Sequence, residues 1–146
     1  MPSDKVVATE SQSRVAVAPE FTLERANSSL VLVRRVVETV VRRYDELMQL
    51  RREREQYPAD ADRQERVQEL DDHIGRCVEQ LNDLNRELMA IGCVLKDWRT
   101  GLVDFPAVHR GRRVWLCWRL GEPAVAHWHD PHAGFSGRVP TGRDFE

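Results

Sequence analysis

The residues with the widest chemical range gather near the C-terminal end of this 146-residue chain. Arg119 and Glu122 flank Gly121, Trp128 and His129 close an apolar run, and His132, Gly134, Phe135, Gly137 and Arg138 follow. Two arginines at this spacing can hold a carboxylate or phosphate in a fork geometry, with Trp128 or Phe135 as a flat apolar wall. A strand end beside a glycine-containing loop is also where backbone amides and side chains converge on a ligand. The candidate ligand-binding set is Arg119, Glu122, Trp128, His129 and Arg138. A structural reading competes with it and is preferred on sequence grounds. In it, Arg119 pairs with Glu122 or Asp104, the aromatics fill a small core and the glycines serve turns.

His127, His129 and His132, with Asp130 nearby, form a second candidate set. On a strand, residues two apart share one face, so His127 and His129 can meet one metal ion. His132 sits in a loop and no third firm ligand accompanies the pair, so these are weak metal candidates and no cofactor is expected. The three cysteines, Cys77, Cys93 and Cys117, form neither a disulfide framework nor a CxxC zinc pair. No GxSxG elbow, HExxH helix, P-loop or GxGxxG is present, so no catalytic residue is assigned and no enzyme is expected. Cys117 falls within a predicted strand, where nothing lowers a thiol pKa, and neither Asp104 nor Glu122 shows a perturbing neighbour. Arg110, Arg112 and Arg113 beside Trp115 make a basic hairpin tip able to touch phosphate and stack a base. A solvated tip is the plainer reading, and a formal net charge of −2 argues against nucleic acid as a partner.

The elements that must position these residues are dominated by two apolar stripes. Leu23, Ala26, Leu30, Val33, Val37, Val40, Tyr44 and Leu47 recur at alternating steps of three and four. Val67, Leu70, Ile74, Cys77, Leu81, Leu84, Leu88 and Ile91 repeat the pattern. That period places apolar side chains on one seam of each of two helices that pack along their length. Thr22 is a good N-cap for the first, which should run to Gln56, roughly 50 Å at 1.5 Å per residue. Tyr57-Pro58-Ala59-Asp60 breaks it, and Asp62 with Glu65 reads as a capping box for the second helix, which ends at Gly92. Gly75 inside that helix either permits a close crossing or is merely tolerated.

Beyond Gly92, Lys96–Gly101 reads as turn chemistry. Three strand-like runs follow at 102–109, 113–120 and 124–129, separated by tight-turn sequences. In the middle run Val114, Leu116 and Trp118 point one way and Trp115, Cys117 and Arg119 the other. Pro106 should place the first run at an edge or a bulge. The predicted fold is mainly α with a small β-module, a long antiparallel helical hairpin followed by a three-stranded antiparallel meander. Its divisions are a disordered N-terminal arm at 1–20, the hairpin at 21–92, and the β-module with its tail at 93–146.

The hydrophobic fraction is 41% and the charged fraction 32%, a balance normal for long solvated helices. The N-terminus lacks the apolar core of a signal peptide, no run approaches membrane-spanning length, and the cysteine pattern fits a reducing cytoplasm. Val31, Leu32, Val36, Val41 and Met48 widen the apolar face of the first helix, as expected of a helix with more than one neighbour. A homodimer is the expectation; coverage by the β-module is the alternative.

The segments FTLERAN, GCVLKDWRTGLVDFPAV and LCWRLGEPAVAHWHDPHAGFSGR resemble the bacterial domain-of-unknown-function family 2203. The resemblance spans nearly all of residues 21–138. It implies a helical hairpin with a compact C-terminal module and carries no activity with it. Arg25 stands where the family tends to carry Glu, and His132 where it favours an acidic residue. The expected function is a non-enzymatic, cytoplasmic, dimeric adaptor or scaffold whose β-module recognises a protein partner. The alternative is a protein binding a small anion or a metal through its C-terminal Arg/Glu/His cluster.

Overall fold

The computed structural model describes residues 20–58 and 64–145. The expected N-terminal arm therefore lies almost wholly outside the described residues. Helix α1 (Leu23–Glu55) opens where the sequence places its cap, with Thr22 Oγ1 accepting the Arg25 amide at 3.1 Å. Helix α2 (Glu65–Ile91) has Gln64 at its N-cap; Asp62, expected there, is outside the described residues. Gly92 ends α2 in the left-handed region (φ 112°), a conformation that costs a glycine nothing. The two stripes face each other. Ala26, Leu30, Val33, Val37, Val40 and Leu47 are buried on α1, and Val67, Leu70, Cys77, Leu81 and Leu88 on α2. Ion pairs Arg66–Glu53, Arg54–Asp71 and His73–Glu46 cross the hairpin on its exposed flanks.

The sheet has five strands, not three, in the order β1-β2-β3-β4-β5 with every pairing antiparallel. They are β1 (Val94–Asp97), β2 (Leu102–His109), β3 (Arg112–Arg119), β4 (His127–His129) and β5 (Val139–Pro140). Strand β1 reads as a turn in sequence because its register is broken between Leu95 and Asp97. Strand β5 spans two residues and has no alternation to detect. Strand β2 is not an edge strand. Its neighbour β1 reaches only to Asp104, and beyond it Phe21 takes over, its amide donating to Pro106 O at 2.7 Å. Pro106 is tolerated because it sits past the end of β1.

The two faces of the sheet differ sharply. Val103, Phe105, Ala107, Val114, Leu116 and Trp118 join the apolar cluster of α1 and α2. The alternate positions, Asp104, Trp115, Cys117, Arg119, His127 and His129, therefore project from the face turned away from the hairpin. The connection from β3 to β4 is tied to α1 by side chains acting as a surrogate strand. Asn27 Oδ1 accepts the Val125 amide at 2.8 Å and its Nδ2 donates to Val125 O at 3.2 Å. Trp118 Nε1 donates to Glu122 O at 3.0 Å, fixing the turn that carries Glu122. Of the apolar residues widening α1, Val36 is buried and Val41 and Met48 pack on the core, whereas Val31 and Leu32 stay exposed.

Two glycines make opposite tests of this packing. A Cβ at Gly75 would meet nothing within 4 Å, so the residue is only tolerated in α2. Gly75→Ala should raise stability by about 1 kcal/mol. At Gly101 (φ 79°) a Cβ would lie 2.7 Å from Val37 Cγ1 and 2.9 Å from Leu120 Cβ. Gly101→Ala should cost roughly 2 kcal/mol or more through clash and backbone strain together. Urea unfolding followed by circular dichroism checks both signs.

Candidate functional site

The outer face of the sheet carries a buried cluster on three adjacent strands. Register places Asp104 of β2 opposite Cys117 of β3, and Cys117 opposite His127 of β4, with His129 two residues further along. One ligand atom from each of Asp104, Cys117 and His129 lies within 4.8 Å of the other two. All three residues are buried, and the Asp104 and His129 side chains are only 3% and 4% exposed. A carboxylate this deep needs compensation, because desolvation of a charge costs several kcal/mol. Part of it comes from His129 Nε2, 3.1 Å from Asp104 Oδ2. The other oxygen, Oδ1, is buried with no hydrogen-bond partner.

Hydrogen bonding fixes the His129 tautomer. Its Nδ1 lies 2.8 Å from Asp130 O, and a carbonyl can only accept, so Nδ1 carries a proton. Nε2 is then either the second N–H of an imidazolium facing Asp104 or a free lone pair. The hydrogen bond to Asp104 raises the His129 pKa above its ordinary 6.5, against the opposing effect of burial and with help from the Asp130 carbonyl. Burial first, and the negative charge of Asp104 after it, push the Cys117 thiol up to about 12. Burial likewise holds Cys93 at about 12. Neither thiol is a resting nucleophile.

A second network lies beside the first. Arg138 Nη2 donates to Glu122 Oε2 at 2.6 Å and to His127 Nδ1 at 2.5 Å. A guanidinium can only donate, so His127 keeps its proton on Nε2. Glu122 Oε1 accepts the Arg119 amide at 2.9 Å. The Arg119 and Arg138 guanidinium carbons stand 4.9 and 4.6 Å from the Phe135 ring centroid. Phe135 belongs to a short 3-10 turn (Phe135–Gly137) and, with Arg138, meets the outer-face residues Arg119 and His127.

The sequence-derived set is thus partly assembled and partly dispersed. Arg119, Glu122 and Arg138 do meet: the two arginines flank Phe135, and Arg138 is held by Glu122 and His127. Arg119 reaches Glu122 through its backbone amide, and Asp104 pairs with His129 instead. Trp128 is on the opposite face, its ring 5.0 Å from His109 and 6.3 Å from Phe145. His127 and His129 share a face as expected but turn to different partners, and His132 is exposed outside the cluster. The hairpin-tip arginines each face a carboxylate: Arg110 meets Asp144, Arg112 meets Asp130 and Arg113 meets Glu20. Sequence reasoning considered Asp104 and Cys117 singly and missed that they meet His129.

A mixed Glu46–His73–Cys77 group lies on the hairpin, but its carboxylate is already shared by His73 and Arg43. A surface cleft lined by Phe21, Thr22, Leu23, Asn27, Val108 and Phe145 lies at the start of α1 and does not reach the buried cluster.

A helical hairpin joined to a five-stranded antiparallel sheet, with a buried oxygen, sulfur and nitrogen donor set on the sheet's outer face, defines the class of protein. The chain belongs to the uncharacterized conserved protein family DUF2203, whose model matches residues 20–141. No curated protein and no solved structure matches it. No described helix is long and apolar enough to cross a membrane.

The Asp104–His129 pair has a pH signature. A folded pKa above 6.5 means the folded state holds this proton more tightly, so the contribution is full below about pH 6.5. It is lost as pH rises through the folded value. The stability difference between the metal-free wild type and Asp104→Asn should therefore be larger at about pH 5.5 than at about pH 8.5, as chemical denaturation would measure.

Proposed function

We propose that the C-terminal module binds a divalent transition-metal ion of the zinc class, with Asp104, Cys117 and His129 as its protein ligands. One observation carries this reading: three buried donors converge while Asp104 Oδ1 is left without a partner. Zinc bonds of about 2.0–2.3 Å put tetrahedral donors roughly 3.3–3.8 Å apart, a contraction that small side-chain rotations can supply. The thiolate favours zinc-like ions over calcium or magnesium. Asp130 O orients His129 through Nδ1 and leaves Nε2 aimed at the ion, the usual outer-shell arrangement for a ligating histidine. Thiolate and carboxylate together balance a dication, which removes the desolvation cost of Asp104 at its source. Such an ion would tie β2, β3 and β4 together, with its fourth position left to water. Three free cysteines suit a reducing compartment, and a cytoplasmic placement is the reading they favour.

Zinc titration and elemental analysis of the purified chain test the reading. Wild type should hold about one ion per chain, and Cys117→Ser or Asp104→Asn should weaken binding by at least about 100-fold, with His132→Ala unchanged. A wild-type chain that takes up no zinc at micromolar concentration contradicts it.

The dimeric adaptor is a second reading, favoured by Val31 and Leu32, 69% and 53% exposed at neighbouring positions of α1. Large exposed apolar side chains on a helix suit association with a second copy. Light scattering should then find a dimer that Val31→Glu with Leu32→Glu converts to monomer. A wild-type monomer at micromolar concentration rejects this reading and leaves the metal site untouched.

A further inference from the structure

We infer that the segment 130–138 is the gate through which metal enters and leaves the Asp104–Cys117–His129 cluster, and that Phe135 is its latch. The inference rests on the metal-binding reading and adds how the site is controlled. Cys117 is fully buried, and the side chains of Asp104 and His129 are nearly so. Behind them the other face of the sheet is sealed by the apolar core shared with α1 and α2. On the outer side the segment from Asp130 to Arg138 meets His129, Arg119 and His127 through Asp130, Phe135 and Arg138, and Lys96 over Trp115 stands on its flank.

The segment is anchored at both ends. At one end Asp130 accepts from His129 Nδ1 through its carbonyl and from Arg112 Nη1 through its carboxylate, the latter at 3.0 Å. At the other end Arg138 is held by Glu122 and His127. Between them Pro131, His132, Ala133, Gly134, Ser136 and Gly137 are all exposed, and Phe135 alone is half-buried. Its ring lies against the Arg119 and Arg138 guanidinium groups, so this contact holds down the middle of the segment. Gly134 (φ 70°) supplies a hinge next to the latch. A segment with fixed ends, an exposed middle and one aromatic contact opens at the contact before its ends release.

Zinc transfer from the loaded full-length chain to the chromogenic chelator 4-(2-pyridylazo)resorcinol, followed by stopped flow, reads the gate. Phe135→Ala and Arg119→Ala should each release zinc about fivefold faster or more. Equilibrium affinity should move by less than about threefold, since a gate changes entry and exit together. Arg119 is exposed, so its variant keeps the test standing if Phe135→Ala does not fold. Release rates equal to wild type overturn the gate while leaving the metal site intact. Affinity that falls as far as the release rate rises overturns it too, because Phe135 would then act on the ligands rather than on passage. A wild-type chain that cannot be loaded removes the binding reading, and the gate with it.

Discussion

A carboxylate buried on the outer face of a small sheet is the constraint on which the functional end of this protein turns. Asp104 is 2% exposed, and only one of its two oxygens is satisfied, by His129. Leaving a charged group in that state is expensive, and the surrounding chain is arranged to limit the cost. Strand β4 is pinned so that His129 reaches across β3, and the Asp130 carbonyl fixes the imidazole. The dication we propose at Asp104, Cys117 and His129 would partner the remaining oxygen and use the thiol beside it. Without one, Cys117 is a thiol raised to about 12 by burial and by Asp104, to whose side chain it also hydrogen-bonds.

The helical hairpin serves this end of the molecule by sealing the opposite face. Strand alternation sends Phe105, Leu116 and Trp118 into the α1–α2 core and, by the same geometry, sends Asp104, Cys117 and His129 outward. The seam of the hairpin is satisfied within one chain, Val36 is buried, and Val41 and Met48 pack on the shared apolar core. Of the apolar residues that widen α1, Val31 and Leu32 stay exposed. The hairpin is best understood as the foundation of the sheet, with any association between chains a separate property.

Much of the fold was legible because it rests on periodicity. The two stripes, the Thr22 cap, the Gly92 terminus and the alternation of β3 are local signals, and each appears where the sequence places it. Strands β1 and β5 were not legible, since one is irregular and the other spans two residues. Two of the three members of the donor cluster could have been read. Arg110 and Gly111 both have positive φ, the two-residue hairpin turn, and counting back from it pairs Asp104 with Cys117. The third member could not be read, because the register of β4 depends on how Asn27 and Trp118 hold the connection through residues 120–126. The Arg119, Glu122 and Arg138 grouping was legible as an assembly, since the turn at Gly121 and the return of residues 135–138 bring them together. Arg138 is held by Glu122 and His127, and both guanidinium groups lie against Phe135.

The coordination sphere itself is the most direct test of the account. X-ray absorption at the zinc edge of the loaded protein should show one sulfur at about 2.3 Å together with nitrogen and oxygen neighbours at about 2.0–2.1 Å. In Cys117→Ser the sulfur shell should vanish. A first shell of oxygen and nitrogen alone in the wild type, or a sulfur contribution that survives Cys117→Ser, would contradict it.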